Sequence, residues 1–235
     1  MSNSLPAFWA VIPAAGVGAR MAADRPKQYL QLGGRTILEH SLYCFLDHPN
    51  LKGLVVSLAM DDPYWPNLAC AIDPRIQRAD GGSERSGSVL NALLHLNALG
   101  ASDDDWVLVH DAARPNLSRD DLDKLLSELA DDAVGGLLAV PARDTLKRAD
   151  KHGRVDETVD RSLIWQAYTP QMFRLGALHR ALADSLVADA VITDEASAME
   201  WSGQAPRLIE GRSDNIKVTR PEDLEWLRLR WANRQ

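Results

Sequence analysis

The chain has 235 residues, and its 26 basic and 33 acidic side chains give a formal net charge of −7, which argues against a general nucleic-acid or anionic-membrane binder. Two cysteines, Cys44 and Cys70, are too few for a disulfide framework and lack the paired spacing of a zinc site, so we expect buried thiols. No apolar run approaches the ~20 residues of a membrane span, and the polar start carries no signal-peptide pattern, so we expect a cytoplasmic protein.

Apolar runs typical of buried parallel strands alternate with amphipathic helical patterns along the chain. The predicted strands are residues 8–12, 54–58, 76–79, 106–109 and 137–140. Predicted helices begin at the capping box of Thr36 and Glu39, around the apolar stripe that starts at Val89, after Ser118 and near Pro221. This alternation predicts an α/β fold with a doubly wound, mostly parallel sheet.

The stretch from about 141 to 168 interrupts this alternation. Two short alternating runs flank the turn Asp150-Lys151-His152-Gly153, which predicts a β-hairpin. Because a lone hairpin with little apolar face is marginally stable, we expect it to project as an arm and to pack on a partner chain in a homodimer. Periodicity alone leaves open a hairpin folded back on its own domain.

The first predicted strand runs into the segment Pro13-Ala14-Ala15-Gly16-Val17-Gly18-Ala19-Arg20. Small residues there let the backbone approach a ligand closely, and consecutive N–H groups can cradle phosphate oxygens. Met21 stands where the dinucleotide fingerprint needs a third glycine, and the Gly-Lys-Ser/Thr of a P-loop is absent. Arg20 and Lys27 close to this loop instead indicate a polyphosphate site.

Two further turns follow predicted strands. His110 and Asp111 come directly after residues 106–109, where a carboxylate can bind Mg²⁺ together with substrate phosphates, although a turn or cap role for Asp111 is the alternative. We interpret His110 as strand-end structure rather than as a base. The pair Gly81-Gly82 can admit a flat ring against the backbone, although by itself it is better explained as a plain strand-to-helix turn.

Together these segments resemble the 2-C-methyl-D-erythritol 4-phosphate cytidylyltransferase family over nearly the whole chain. The matching motifs lie at residues 13–20, 26–30, 36–40, 80–82, 84–85, 88–89, 107–115, 143–145, 158–161, 169–171, 192–197, 210–212 and 214–223. The C-terminal run, Asp214-Asn-Ile-Lys-Val-Thr-Arg-Pro-Glu-Asp223, sets this family apart from nucleotidyltransferases that share only the glycine loop.

The resemblance implies a single Rossmann-like nucleotidyltransferase domain over residues 1–235, with the β-arm at about 141–168. It implies an enzyme of non-mevalonate isoprenoid biosynthesis that joins CTP to 2-C-methyl-D-erythritol 4-phosphate and releases pyrophosphate. The attacking group is already a phosphate anion, so positioning and charge neutralisation can supply the catalysis without a strong base. A ribitol-5-phosphate cytidylyltransferase and a nucleotide-binding regulatory module without turnover are the alternatives.

The family's functional positions carry over residue by residue. The implied catalytic residues are Arg20, Lys27, Arg161 and Lys217. The implied nucleotide-binding residues are Pro13, Ala14, Ala15, Gly16, Gly18, Gly82, Ser83, Ser88, Asp111 and Ala112, with Asp111 also holding Mg²⁺ or another divalent cation. The implied methylerythritol phosphate residues are Arg114, Thr145, Arg161, Thr169, Thr193 and Lys217. Thr145 and Arg161 would reach the neighbouring subunit's site, and Ser83 stands where some members carry Asp.

Overall fold

A computed structural model describes residues 5–16 and 24–232, and its central feature is a mixed sheet of seven strands. The strands are β1 (Phe8–Pro13), β4 (Leu51–Leu58), β5 (Ile76–Asp80), β6 (Trp106–Val109), β7 (Gly135–Pro141), β10 (Trp165–Arg174) and β11 (Arg207–Glu210). Their order is β11-β7-β10-β6-β1-β4-β5, and only β10 runs antiparallel to its neighbours in this sheet. The predicted doubly wound, mostly parallel sheet is confirmed.

Helices cover both faces of this sheet. They are α1 (Ile37–Leu46), α2 (Arg85–Ala98), α3 (Arg119–Leu129), α4 (Leu175–Val187), α5 (Glu195–Trp201) and α6 (Pro221–Ala232). Alternate side chains of β1 point to opposite faces, so that Phe8 and Ile12 pack with α1 and α3 while Val11 packs with α2 and α4. Each such apolar side chain contributes about 1.5–3 kcal/mol when fully buried.

Local sequence explains where the predicted helices begin. The Thr36 hydroxyl accepts the Glu39 N–H while the Glu39 carboxylate accepts the Thr36 N–H, which completes the predicted capping box. Ser118 likewise accepts the N–H of Asp121 at the start of α3. No helix within residues 5–16 and 24–232 is long and apolar enough to cross a membrane.

The predicted hairpin is present as a separate antiparallel pair, β8 (Leu146–Ala149) and β9 (Val155–Val159). At its base, the Ala142 N–H donates to the carbonyl of Ile164. Its apolar side chains are largely exposed, with Val155 at 65% and Leu163 at 87%. The arm therefore buries little of its own apolar surface.

The segment after β11 crosses the carboxyl edge of the sheet before α6 begins. The Val218 N–H donates to the Ala113 carbonyl over 2.8 Å, and the Arg114 guanidinium donates to the Asn215 carbonyl over 2.8 Å. Val218 is fully buried in a small core with Leu32, Ile37 and Leu224. These contacts bring Lys217 to the end of β6.

One further two-stranded element and a short turn lie between β1 and α1. A small antiparallel ribbon joins β2 (Gln31–Leu32) to β3 (Arg35–Thr36) directly before α1. The ribbon follows a 3₁₀ turn at Lys27–Tyr29, whose middle residue Gln28 is buried. This turn places the Pro26-Lys27-Gln28 motif under the glycine loop.

Candidate active site

The carboxyl ends of β1, β5 and β6 surround a cavity of about 310 Å³. Every predicted nucleotide-binding residue within the described ranges lines it: Pro13, Ala14, Ala15, Gly16, Gly82, Ser83, Ser88, Asp111 and Ala112. Lys27 and Lys217 line the same cavity. The predictions for Gly18 and Arg20 fall on residues outside those that the structure describes. This first cavity is the candidate nucleotide site.

A second cavity of about 180 Å³ adjoins the first. It contains the predicted substrate residues Arg114, Thr169, Thr193 and Lys217. Among the residues that the structure describes, three line both cavities: Arg85, Asp111 and Lys217. They therefore form the partition between the two cavities, which is where two bound phosphates can approach each other.

The described part of the glycine loop is held from below by Gln28. Its side-chain amide donates to the carbonyls of Ala14 and Gly16 over 2.7 and 3.0 Å, and the residue is only 4% exposed. The Ala14 N–H is already used by the carbonyl of Ser57. The N–H groups of Ala15 and Gly16 have no partner among residues 5–16 and 24–232, so they are the described donors available to phosphate oxygens.

The loop after β5 packs directly against this glycine loop. A Cβ on Gly81 would collide with the Cβ of Ala15, and a Cβ on Gly82 would lie 2.7 Å from the Gly87 backbone. The Gly82 N–H donates to the Ser88 hydroxyl, which in turn donates to the Glu84 carbonyl. Both glycines are thus required by close backbone approach, and Ser88 fixes the loop that borders the first cavity.

Asp111 lies among three cations at the partition. Its Oδ2 accepts from Lys217 Nζ at 2.9 Å and from Arg114 Nε at 3.3 Å, while its Oδ1 accepts from Arg85 Nε at 3.2 Å. Burial alone would raise the pKa of Asp111, but the charges of Arg85, Lys217 and Arg114 outweigh it and hold the pKa well below its usual range. The carboxylate is therefore ionised at neutral pH.

A buried relay fixes the backbone beside this carboxylate. The Nε2 of His110 must donate to the Arg114 carbonyl, 3.0 Å away, because a carbonyl only accepts. Nδ1 then accepts the hydroxyl proton of Thr169, whose oxygen accepts the Asp111 N–H. Burial lowers the pKa of His110 to about 4, so the ring is neutral at pH 7. His110 is strand-end structure, as its sequence position indicates.

The remaining predicted residues fall into two groups: Lys27 and Thr193 line the cavities, whereas Thr145 and Arg161 lie on the arm. Lys27 donates from Nζ to the Val218 carbonyl over 2.8 Å, and thereby lies between the glycine loop and the C-terminal segment. Thr193 lies at the exposed rim of the second cavity. Thr145 and Arg161 are exposed on the arm and line neither cavity of this chain.

The donor set at the partition fits a divalent cation that has few protein ligands. No group of three or more His, Cys, Asp or Glu side chains in the described part of the chain could hold a metal. A single ionised carboxylate facing a cationic phosphate site matches Mg²⁺, which commonly takes one or two carboxylates and completes its shell with phosphates and water. Asp111 is the residue that meets this description.

Sequence reasoning missed three residues of the site. Gln28 was visible only as part of the Pro26-Lys-Gln-Tyr-Leu30 motif, and Arg85 as part of the segment after Gly82. Glu195 holds Arg85 with two hydrogen bonds of 2.6 and 3.1 Å, across 110 positions of sequence. A pairing over that separation leaves no local signal, because both residues sit at helix starts where charged side chains are ordinary.

The family model of 2-C-methyl-D-erythritol 4-phosphate cytidylyltransferase (IspD) matches residues 8–228 of this chain. A Pseudomonas fluorescens (strain SBW25) protein with that name is 93% identical over 235 residues, which is all of both chains. The chain belongs to this family. Among solved members, 2-C-methyl-D-erythritol 4-phosphate cytidylyltransferase of Francisella tularensis is 39% identical with a TM-score of 0.79, covering 94% of this chain and 97% of that one.

A solved 4-diphosphocytidyl-2C-methyl-D-erythritol synthase is 41% identical to this chain, with a TM-score of 0.82. The match covers 97% of this chain and 99% of that one. These comparisons confirm the family resemblance found in the sequence motifs, and the solved members share the Rossmann-like nucleotidyltransferase fold.

Proposed function

We propose that this chain transfers the cytidylyl group of CTP to 2-C-methyl-D-erythritol 4-phosphate in non-mevalonate isoprenoid biosynthesis. A phosphate oxygen of the polyol forms a bond to the α-phosphorus of CTP, and the bond from that phosphorus to the bridging oxygen breaks. Pyrophosphate leaves with the electron pair. The observation that carries this proposal is the cationic partition of Arg85, Asp111 and Lys217 between two adjacent cavities.

The first cavity is proposed to hold CTP. The N–H groups of Ala15 and Gly16 face the triphosphate, and Lys27 with Arg20 neutralises charge that builds on the α-phosphate in the transition state. The loop of Gly82, Ser83 and Ser88 borders the cytosine, and its carbonyls can accept from the exocyclic amine. Side chains larger than hydrogen at positions 81 and 82 would collide with Ala15 and Gly87, so this loop stays close to its neighbours beside the cavity.

Asp111 is proposed as the protein ligand of Mg²⁺ or a similar divalent cation. When bound, the cation neutralises phosphate charge and helps to align the reacting groups. Beside this metal role, Asp111 borders the ribose together with Ala112, and Lys217 holds Asp111 at the partition. The relay through Thr169 and His110 keeps the Asp111 backbone in place.

The second cavity is proposed to hold the polyol phosphate. Arg114 reaches it with its face against the Tyr168 ring, 4.5 Å from the centroid, and Thr169, Thr193 and Lys217 complete the side that this chain supplies. Thr145 and Arg161 would enter from the arm of a second subunit in a homodimer. The exposed apolar side chains of the arm support this assembly.

We further propose that residues 1–235 form one catalytic domain with the arm as its appendage, acting in the cytoplasm. Continuous packing of the sheet with helices on both faces supports the single domain. Cys44 and Cys70 are free thiols, as a reducing compartment requires.

The decisive test is pyrophosphate release over a panel of nucleotides and polyol phosphates with Mg²⁺. CTP with methylerythritol phosphate should give the highest kcat/KM, and removal of the divalent cation with a chelator should abolish turnover. Faster release with ribitol 5-phosphate would favour the alternative cytidylyltransferase. Binding of CTP without release from any polyol phosphate would favour the regulatory module.

A further inference from the structure

Arg85 makes two unequal sets of contacts at the partition. With Glu195 it forms a two-pronged ion pair, Nη1–Oε1 at 2.6 Å and Nη2–Oε2 at 3.1 Å. With Asp111 it forms one longer contact, Nε–Oδ1 at 3.2 Å. Two-pronged guanidinium–carboxylate pairs are the stronger and more directional arrangement. Arg85 is therefore held mainly by Glu195, and its single contact with Asp111 is the weaker one.

Glu195 is itself rigidly placed. It is 1% exposed at the start of α5, next to Asp194, the N-cap residue of that helix. The Gln171 side chain accepts the Ala196 N–H over 2.7 Å and donates to Asp194 over 2.9 Å, which ties the helix start to β10. A fixed carboxylate behind Arg85 holds the guanidinium in one place and cancels much of its charge.

Charge counting shows what this pair does for Asp111. The cluster contains three cations (Arg85, Arg114 and Lys217) and two carboxylates (Asp111 and Glu195). Lys217 and Arg114 already occupy Oδ2, whereas among residues 5–16 and 24–232 the charged partner of Oδ1 is Arg85 alone, whose charge Glu195 partly cancels. Oδ1 is therefore the oxygen that can be released with least loss.

We propose that Arg85 is a positioning residue that contacts Asp111 Oδ1 until a divalent cation binds, and that Glu195 weakens this contact so that the oxygen can be released to the cation. The proposal rests on the metal role proposed above for Asp111. Arg85 remains on Glu195 throughout, so the exchange requires no movement of α2 or α5. The pair thus sets how readily the site accepts the cation.

The test measures CTP-dependent Mn²⁺ binding to the full chain, without polyol phosphate, as the loss of free Mn²⁺ signal in electron paramagnetic resonance beyond the loss that the same CTP concentration causes without protein. Glu195→Gln keeps the side chain's shape but leaves the Arg85 charge uncancelled, so Mn²⁺ binding should weaken roughly tenfold. In the absence of metal the same variant should bind CTP more tightly, because an added positive charge faces the phosphates. A merely structural role of the pair would not move these two affinities in opposite directions.

A double variant, Arg85→Gln with Glu195→Gln, removes the competing contact and restores the cluster's net charge. It also avoids the uncompensated buried carboxylate that Arg85→Gln alone would leave. Its Mn²⁺ affinity should equal or exceed that of the unmodified chain. The matched control is the double variant Arg180→Gln with Asp103→Asn, which removes an exposed ion pair of 3.2 Å. Asp103 lies just before β6, at the opposite edge of the sheet from the site. This control should leave the affinities for Mn²⁺ and CTP unchanged.

The outcomes separate this inference from the proposed function. Asp111→Asn should abolish the CTP-dependent Mn²⁺ binding, and retention of that binding would overturn the metal role and this inference together. If Asp111→Asn loses Mn²⁺ binding but the double variant binds Mn²⁺ tenfold more weakly than the unmodified chain, the inference alone is overturned and the metal role of Asp111 stands. If thermal unfolding shows that Glu195→Gln is not folded, the Mn²⁺ affinity of the double variant alone tests the inference: an affinity tenfold weaker than that of the unmodified chain would overturn it.

Discussion

The Asp111 cluster and the arm both carry predicted site residues, yet they are built in opposite ways. At the partition each of the five charged groups has a partner of opposite sign within 3.3 Å. On the arm, Thr145 and Arg161 face solvent beside exposed apolar residues, Leu163 among them. The first region pairs its charges within the described part of the chain, whereas Thr145 and Arg161 line neither of the two cavities.

Physical cost explains this difference. Buried charges must be paired within the fold, since an unpaired one costs several kcal/mol, and fixed partners then preorganise the site for anionic substrates. Because the arm is mostly polar, its exposure to solvent costs little free energy, and it can remain exposed until it contacts a second surface. The comparison therefore predicts that substitutions at the partition act within one chain, while substitutions on the arm act between chains.

The largest expected effect is that of Asp111→Asn. Removing this charge leaves Arg85, Arg114 and Lys217 without their common partner, and kcat/KM should fall by about 10³-fold. Pyrophosphate release gives the rate, and thermal unfolding reports the accompanying loss of stability. Activity within tenfold of the unmodified enzyme would mean that the cluster is structural only.

The next effect tests whether the arm works across subunits. Arg161→Ala and Lys217→Ala should each lower activity about 10²-fold, because each removes a cation that we propose to face the substrate phosphate. After subunit exchange, half of the dimers are mixed and each mixed dimer regains one intact site, so activity should return to about a quarter. Subunit exchange is verified by differently tagged chains, and no recovery despite exchange would place both residues in the same chain's site.

A third substitution weakens the arm's apolar contact without touching a substrate residue. Leu163→Asp introduces a charge where a partner chain would pack, and dimerisation should weaken about 30-fold. Sedimentation velocity across a dilution series measures this. Ile72→Asp is the matched control, since Ile72 is 89% exposed away from the arm and should leave assembly unchanged. Equal behaviour of the two variants would remove the arm from the interface.

The smallest effect sharpens the description of the cavity itself. Gln28→Leu removes both hydrogen bonds to the glycine loop at similar volume, so the KM for CTP should rise about tenfold while kcat changes little. Gln77→Leu, at an exposed residue with one 3.3 Å hydrogen bond, is the control. A fall in kcat with KM unchanged would assign Gln28 a different role.

Local patterns sufficed for the elements whose signals are local. The capping box at Thr36, the cap at Ser118 and the apolar run of β6 appear in the structure where the sequence predicts them, and the hairpin around Asp150 forms. Strands β10 and β11 and helices α4 and α5 were not predicted. In β10 the polar, proline-containing stretch around Thr169 and Gln171 breaks the apolar run, and the register shifts between Ala167 and Gln171.

The sequence by itself determined the family, the order of most strands and helices, and the residue types that gather around phosphates, because motifs and hydrophobic periods are properties of neighbours along the chain. Only the tertiary structure decided that Gln28 supports the glycine loop, that Thr169 fixes the Asp111 backbone, and that Glu195 holds Arg85. Those pairings join residues between 12 and 110 positions apart. They exist because the carboxyl ends of the strands meet at one edge of the sheet, a property of packing that no stretch of sequence contains.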